Sequence, residues 1–600
     1  MNSLSLDIAN LRAGYRDGSL TPLAVVDEIL RRTAADPHTV WIHRLSERAM
    51  RGYATALSAH DSSTLPLYGI PFAIKDNIDL ADVPTTAGCR EYAYTPPHHA
   101  FVVQQLIDAG AIPVGKTNLD QFATGLNGSR SPFGACRNAF NPDYVSGGSS
   151  SGSAVAVALG YCSFALGTDT AGSGRVPAAL NNLVGLKPTL GLLSASGVVP
   201  ACRSLDTISL LCLSAADAAD VLAVAARYDA ADAYSRPAPV SESLPFGSGG
   251  FRFGVPAERY LEYFGNHAGA AVFARAVKVL KSLGGIEVEI DFGPFLDTAG
   301  LLYDGPWVAE RYAAIADFIE QQPQSLLPVT REIISAARQI DAVATFKAQY
   351  RLQELKRAAS ATWRQCDLIV TPSAPGHCTI AAMQADPIRL NSRLGHYTNF
   401  VNLMDLSAVA VPAGMQADGL PFGVTLCAPA FAEQCLLPLA AALQRHTSST
   451  LGATGVSLHD CDREPIGPAA GGFVDVAVCG AHMSGLPLNH QLTSAGARLR
   501  ERTMTQPIYQ LYALPGGPPH RPGMVRSSEG GAAIEVEVWR IPVTGYGTFV
   551  AGIPAPLGIG TVLLADGRST QGFVCESVAV GAAIDITAFG GWRAYLENQV

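Results

Sequence analysis

The apolar positions of the first 60 residues recur at helical spacing. Leu20, Leu23, Val26, Ile29 and Leu30 surround or follow Thr21-Pro22, a hydroxyl cap with proline at the first helical position. Residues 1–60 are therefore read as a helical arm for packing or dimerisation, and a homodimer is expected from it. From Leu67 the pattern changes. Short apolar runs, Tyr68 to Ile74, Ile112 to Gly115, Leu368 to Val370 and Ala408 to Pro412, alternate with helical stretches such as His99 to Ala109. This alternation predicts an α/β fold with a central mixed sheet flanked by helices. The most apolar helix candidate, Ala154 to Gly167, is interrupted by Gly160, Tyr161 and Ser163 and falls short of the roughly 18 continuous apolar residues of a membrane span. No membrane association is expected.

Near residue 445 the periodicity stops. Residues 446–472 are rich in Ser, Thr, Gly and Pro and read as an exposed linker between a domain of residues 1–445 and a second one of residues 473–600. In the second domain Val474 to Val478, Ile508 to Ala513, Ile534 to Ile541 and Thr548 to Ala551 read as strands, with turns at Pro515 to Pro519 and at Asp566-Gly567, which predicts a small β-rich domain.

Composition narrows the function. Hydrophobic residues make up 48% and charged residues 16% of the 600, the profile of a well-buried globular enzyme. The net charge of −9 offers no excess of cations to neutralise phosphates, so nucleic acid is not an expected partner. The start of the chain lacks a basic segment followed by an apolar one, so a cytoplasmic protein is expected. The 12 cysteines are scattered without a CxxC pair, and the 13 histidines form neither HxxxH nor HExxH, so neither a disulfide framework nor a metal is expected. No other cofactor is expected.

Two Gly/Ser clusters carry the candidate chemistry. Gly147 to Ser153 reads GGSSSGS, and Gly167 to Arg175 reads GTDTAGSGR. Serine is a weak nucleophile that needs a base and donors for the developing oxyanion. Glycine-rich turns let backbone N–H groups converge on a carbonyl, and Thr170, Ala171, Gly172 and Ser173 can supply them. No histidine is near either cluster in sequence. Lys75, ending the apolar run Ile70 to Ile74, serves as a base if burial lowers its pKa, with Ser149 relaying the proton. Asp169 and Arg175 are expected to brace the loop as a charge-assisted pair.

Ile70 to Asn77, Gly147 to Ser153 and Thr168 to Ala178 resemble the three signature blocks of the amidase signature family, over most of residues 65–430. The resemblance implies a Ser-cis-Ser-Lys triad: Ser173 as nucleophile, Ser149 as bridging serine on a cis peptide, and Lys75 as base. The interval of 24 residues between the serines fits that pattern. Ser151 departs from it, since many members carry a glycine there.

Specificity is sought in Leu301 to Arg311. Gly305-Pro306 marks a helix start, with Tyr303 just before it and Arg311 inside it. An arginine on an apolar face suits a carboxylate, and a salt bridge to Glu310 is the alternative. With Phe122 to Asn127 and Tyr397 to Asp405, this segment is similar to the allophanate hydrolases, and the similarity extends over the whole chain. It implies cleavage of the terminal amide of urea-1-carboxylate in urea or s-triazine nitrogen catabolism. Arg311 and Tyr303 would clamp the substrate carboxylate, and Gly125 would line the pocket.

The run Val476 to His490 moves from a strand into a Gly-rich turn, where His482 is the candidate acid or base. With Gly545 to Ile553 and Pro554 to Gly560, it resembles the C-terminal domain of the same hydrolases. That implies a γ-glutamylcyclotransferase-like fold and a role in decarboxylating N-carboxycarbamate, with a purely structural role as the alternative. Two other readings are the A subunit of a tRNA-dependent amidotransferase, which shares the blocks but is disfavoured by the acidic balance and the second domain, and an inactive scaffold that binds carboxylates, disfavoured by the intact Lys75, Ser149 and Ser173.

Overall fold

A computed structural model describes residues 4–238, 250–458 and 473–599, which fall into two compact units separated at the break before residue 473. Among the described residues of the first unit, eleven strands form one mixed sheet: β1 (Trp41–Arg44), β2 (Pro71–Lys75), β3 (Ile112–Thr117), β4 (Phe164–Asp169), β5 (Val184–Lys187), β6 (Thr207–Cys212), β7 (Phe251–Pro256), β8 (Gly285–Ile290), β9 (Leu368–Pro372), β10 (Leu406–Met415) and β11 (Pro421–Pro429), in the order β1-β3-β2-β4-β6-β5-β10-β11-β9-β7-β8. β2 runs parallel to both β3 and β4, and most of the centre is antiparallel. The central strands are buried at every position, as their continuous apolar runs require when both faces are covered. This is the α/β architecture with a central mixed sheet that the alternating pattern predicts.

Three expectations change here. Residues 1–60 are not wholly helical: between Pro22–Arg32 and Glu47–Ala56 the chain adds β1 to the sheet edge, paired with β3. Val26 and Ile29 are fully buried within the unit while Leu23 faces solvent, so most of the arm's apolar face packs on its own chain and the case it made for a homodimer is lost. The apolar stretch from Ala154 is two elements. The helix Ser151–Ala158 ends before Gly160, whose positive φ of 67° turns the chain into β4. The start of the expected linker is packed rather than exposed: the helix Glu433–Thr447 runs past 445, Leu451 and Leu458 are buried, and Asn182 donates to the carbonyls of Thr450 and Gly452. Residues 459–472 of that expectation lie outside the described residues.

The second unit is β-rich. β12 (Phe473–Val478), β13 (Arg498–Met504), β16 (Glu535–Pro542), β17 (Leu557–Leu563) and β18 (Ser569–Cys575) form a sheet in the order β13-β16-β12-β18-β17, and β14 (Tyr509–Ala513), β15 (Pro522–Arg526) and β19 (Ile584–Asp585) form another. Its core includes Val476, Leu511, Val538 and Trp592. Thr548 to Ala551, expected as strand, lies in the helix Val543–Ala551. Pro542 closes β16, and Tyr546, Phe549 and Val550, spaced for one helical face, pack on the core.

Among the described residues no helix is long and apolar enough to cross a membrane, and no cluster of His, Cys, Asp and Glu could hold a metal ion.

Candidate active site

Lys75 and Asp169 end adjacent parallel strands, so both reach the same end of the sheet. Ile74 opposes Leu166, which sets Lys75 beside Gly167 and Thr168. The lysine is fully buried, its Nζ 2.8 Å from Ser149 Oγ and 2.7 Å from Thr168 Oγ1. Burial disfavours the ammonium and brings its pKa down to about 7, against the pull of the Asp120, Asp206 and Asp169 carboxylates; Arg311 pushes the same way as burial. Half of such a lysine is neutral near pH 7, as a general base requires.

The Gly148–Ser149 peptide bond is cis. Gly148 has no room for a side chain, since a Cβ there would stand 2.2 Å from Asp120 Oδ2 and 2.7 Å from Gly128 N. Asp120 in turn accepts from the backbone N–H groups of Asn127, Gly128 and Arg130, folding the 125–130 loop around the serine turn. The two Gly/Ser clusters are tied together directly. Ser150 N donates to the carbonyl of Ser173 at 3.2 Å, and Ser150 Oγ donates to that of Thr168 at 3.1 Å.

Ser173 is 2% exposed. Its loop is held from behind by the pair expected from the sequence: Arg175 Nε and Nη2 each donate to Asp169 at 2.9 Å, with both side chains fully buried. Burial opposes the charge on Asp169, but the Arg175 guanidinium holds the carboxyl below its usual range. Four backbone donors were expected around Ser173, and one is taken: Gly172 N donates to Asp169 Oδ1 at 2.9 Å. Among the described residues the N–H groups of Thr170, Ala171 and Ser173 have no partner, which leaves three donors.

Several positioning residues escaped the sequence reading. Thr168 touches Lys75, Asp206 accepts from Thr170 Oγ1, Thr398 Oγ1 donates to the carbonyl of Ala171 at 2.8 Å, and Asn402 Nδ2 donates to that of Asp169 at 2.7 Å. Burial raises the Asp206 carboxyl. The only sequence signal for Thr398 and Asn402 was their segment, Tyr397 to Asp405. Their partners lie more than 220 residues away along the chain.

Arg311 projects from the helix Trp307–Ala314 and is 3% exposed. Tyr303 lies just before that helix, as expected, in the last turn of the preceding helix Gly293–Asp304, and the guanidinium carbon of Arg311 stands 5.7 Å from its ring centre. Glu310 is not the partner of Arg311: it accepts from Ser204 N and Oγ. Arg311 Nη1 reaches Ala123 O at 3.4 Å and Thr124 Oγ1 at 3.3 Å, and its Nε is enclosed without an acceptor. Gly125, next in that turn, is crowded from one side, where a Cβ would meet Asp120 Oδ2 at 2.6 Å. The structure thus brings Arg311, Tyr303 and the turn before Gly125 together, within electrostatic reach of Lys75.

Residues 24–437 match the Amidase family. The chain belongs to that family. The second unit of this amidase-family chain matches the allophanate hydrolase C-terminal domain over residues 474–597. The urea amidolyase of Saccharomyces cerevisiae is 42% identical over 595 residues, 96% of this chain but 32% of that protein, so the chain spans about a third of that relative's length. The structure of the allophanate hydrolase of Kluyveromyces lactis, 39% identical, superposes with a TM-score of 0.78 and coverage of 100% of both chains. The A subunit of glutamyl-tRNA(Gln) amidotransferase of Chloroflexus aurantiacus is 34% identical over 481 residues, 74% of this chain and 96% of that one.

In the second unit, His482 is half-buried at the end of β12, its ring stacked on Phe573 at 4.9 Å and its Nε2 2.9 Å from Gln491 Oε1. Burial lowers its pKa against the hydrogen bond to Gln491, and the nearby Arg521 adds to the lowering. Arg521 is a residue the sequence reading missed. It lines both a small pocket shared with His482 and a neighbouring cavity of about 510 Å³ bounded by Pro515, Pro518, Pro556 and Val578. Among the described residues its guanidinium has no hydrogen-bond or ion-pair partner, and its Nε is enclosed.

Proposed function

We propose that this amidohydrolase cleaves the terminal amide of allophanate through Ser173, Ser149 and Lys75. The observation that carries the reading is a buried Lys75–Ser149 contact of 2.8 Å within reach of a buried arginine that has no carboxylate partner among the described residues. Ser173 Oγ attacks the terminal carbonyl while its proton passes through Ser149 to neutral Lys75. The oxyanion is received by the free N–H groups of Thr170, Ala171 and Ser173. Collapse returns the proton to the leaving nitrogen and releases ammonia. Water then enters by the same relay, frees Ser173 and leaves N-carboxycarbamate. Arg311 holds the carboxylate of the substrate in its planar fork, with Tyr303 beside it and Gly125 leaving room in the pocket.

The hydrolytic step is assigned to residues 1–445 and loss of CO2 from N-carboxycarbamate to residues 473–600. His482, with a lowered pKa, beside the unpaired Arg521 suits an anionic carbamate in a small pocket. An amidotransferase role accounts for the first unit alone. Urea catabolism in the cytoplasm is the expected setting, and a homodimer, now without support from the N-terminal arm, is tested by sedimentation equilibrium. The reading itself is tested by ammonia release from allophanate, malonamate, biuret and a simple aliphatic amide. The two carboxylated substrates should be turned over far faster than the neutral ones, and equal rates on all four would contradict it.

A further inference from the structure

Arg130 has no part in the reading above, yet its surroundings match those of Arg311. It is 4% exposed, Nη1 donates to Thr124 O at 2.9 Å, Nη2 donates to Pro387 O, and Nε is enclosed without an acceptor. Arg311 meets the other side of the same turn, through Ala123 O and Thr124 Oγ1, also with an enclosed and unpartnered Nε. Among the described residues neither guanidinium has an ion pair, whereas the equally buried Arg175 is paired twice over with Asp169. Burying a cation is costly unless an anion completes its surroundings. Here two cations sit within each other's field: burial disfavours the charge on Arg130, and Arg311 adds to that, against Asp120 and Tyr303.

The turn between them is itself strained. Phe122 and Ala123 both lie in the left-handed region, at φ 50° and 51°, without being glycine. The carbonyls on its exit side are those the two arginines hold. A carboxylated amide brings a negative charge into this site on binding and its neutral analogue brings none, so a second buried positive charge beside Arg311 favours the carboxylated one.

We propose that Arg130 is a positioning and specificity-determining residue. Through Thr124 it fixes the turn on which Arg311 rests, and its charge, added to that of Arg311, selects amides whose acyl fragment bears a carboxylate. The proposal rests on Arg311 as the carboxylate clamp. Arg130→Met and Arg130→Lys are compared with Arg311→Met on malonamate and on its neutral analogue malonamide, with thermal unfolding of each variant recorded. Arg130→Met should lose about tenfold more kcat/KM on malonamate than on malonamide, mainly through KM, and Arg130→Lys, which keeps the charge, should recover most of that selectivity. Equal losses on both substrates, or Lys behaving like Met, would overturn the proposal by showing that Arg130 only braces the fold. If Arg130→Met does not fold, selectivity in Arg130→Lys decides alone: retention supports the charge, and loss refutes it. Should Arg311→Met fail to discriminate between the two substrates, the clamp reading is what falls; if it discriminates and Arg130→Met does not, the Arg130 proposal falls by itself.

Discussion

The two candidate sites of this chain handle buried charge in opposite ways. Around Ser173 nearly every polar group is tied to a partner, some far along the chain and some close by: Lys75 to Ser149 and Thr168, the Asp169 carbonyl to Asn402, the Asp169 carboxylate to Arg175, and Asp120 to three backbone amides of the following loop. Around His482 there is a small pocket, a half-buried imidazole stacked on one ring and an arginine with no partner among the described residues, which also lines a neighbouring cavity of about 510 Å³. The first arrangement makes a reactive group out of ordinary ones, because burial, helped by the nearby Arg311, turns lysine into a base working near pH 7. The second suits recognition of an anion that can lose CO2 without a nucleophile. A covalent mechanism needs many groups held at once, whereas a decarboxylation pocket needs a matching charge and little else.

That contrast can be broken most forcefully at the nucleophile. Ser173→Ala should lower ammonia release from allophanate by about 10⁴-fold or more, since the relay has nothing left to activate. Removing the brace is next: Arg175→Met leaves Asp169 buried and unpaired and should destabilise the fold by about 3–5 kcal/mol, read from the unfolding midpoint in urea. Arg311→Ala should cost about 100-fold in kcat/KM on allophanate, and Arg311→Lys should restore little because a point charge cannot replace the fork.

The pH profile sharpens the comparison further. Lys75 acts when neutral, so kcat/KM should fall on the acid side with a midpoint at about 7. In Arg311→Met the midpoint should move to higher pH, because the guanidinium that disfavours the ammonium is gone. The smallest effect is expected in the second unit. Arg521→Met should slow CO2 release from N-carboxycarbamate by about tenfold, a modest loss for a step that also proceeds unaided.

How much of this was legible in the sequence follows from the range of the interactions. The strands at Ile112 and Leu368 and the turn at Asp566-Gly567 depend on local periodicity and turn chemistry, and they lie where the pattern put them. β1 was hidden because a strand of four residues at a sheet edge is half exposed and shows no alternation, and Thr548 to Ala551 because β-prone residues can also line a helical face. At the site, Lys75, Ser149, Ser173 and the Asp169–Arg175 pair sit within compact motifs. Asp120, Asp206, Thr398, Asn402, Arg130 and Arg521 do not, since each acts through a contact that only the folded chain creates, and Thr168, though inside a motif, shows its role only through its contact with Lys75.

The central claim is that Ser173 becomes acylated by a carboxylated amide with Lys75 as its base. The direct measurement is rapid-quench mass spectrometry of the full chain mixed with malonamate. The account predicts an acyl adduct on the peptide containing Ser173, formed more slowly as pH falls through about 7 and absent in Lys75→Met. An adduct on another residue, or undiminished acylation of Ser173 in Lys75→Met, would contradict it.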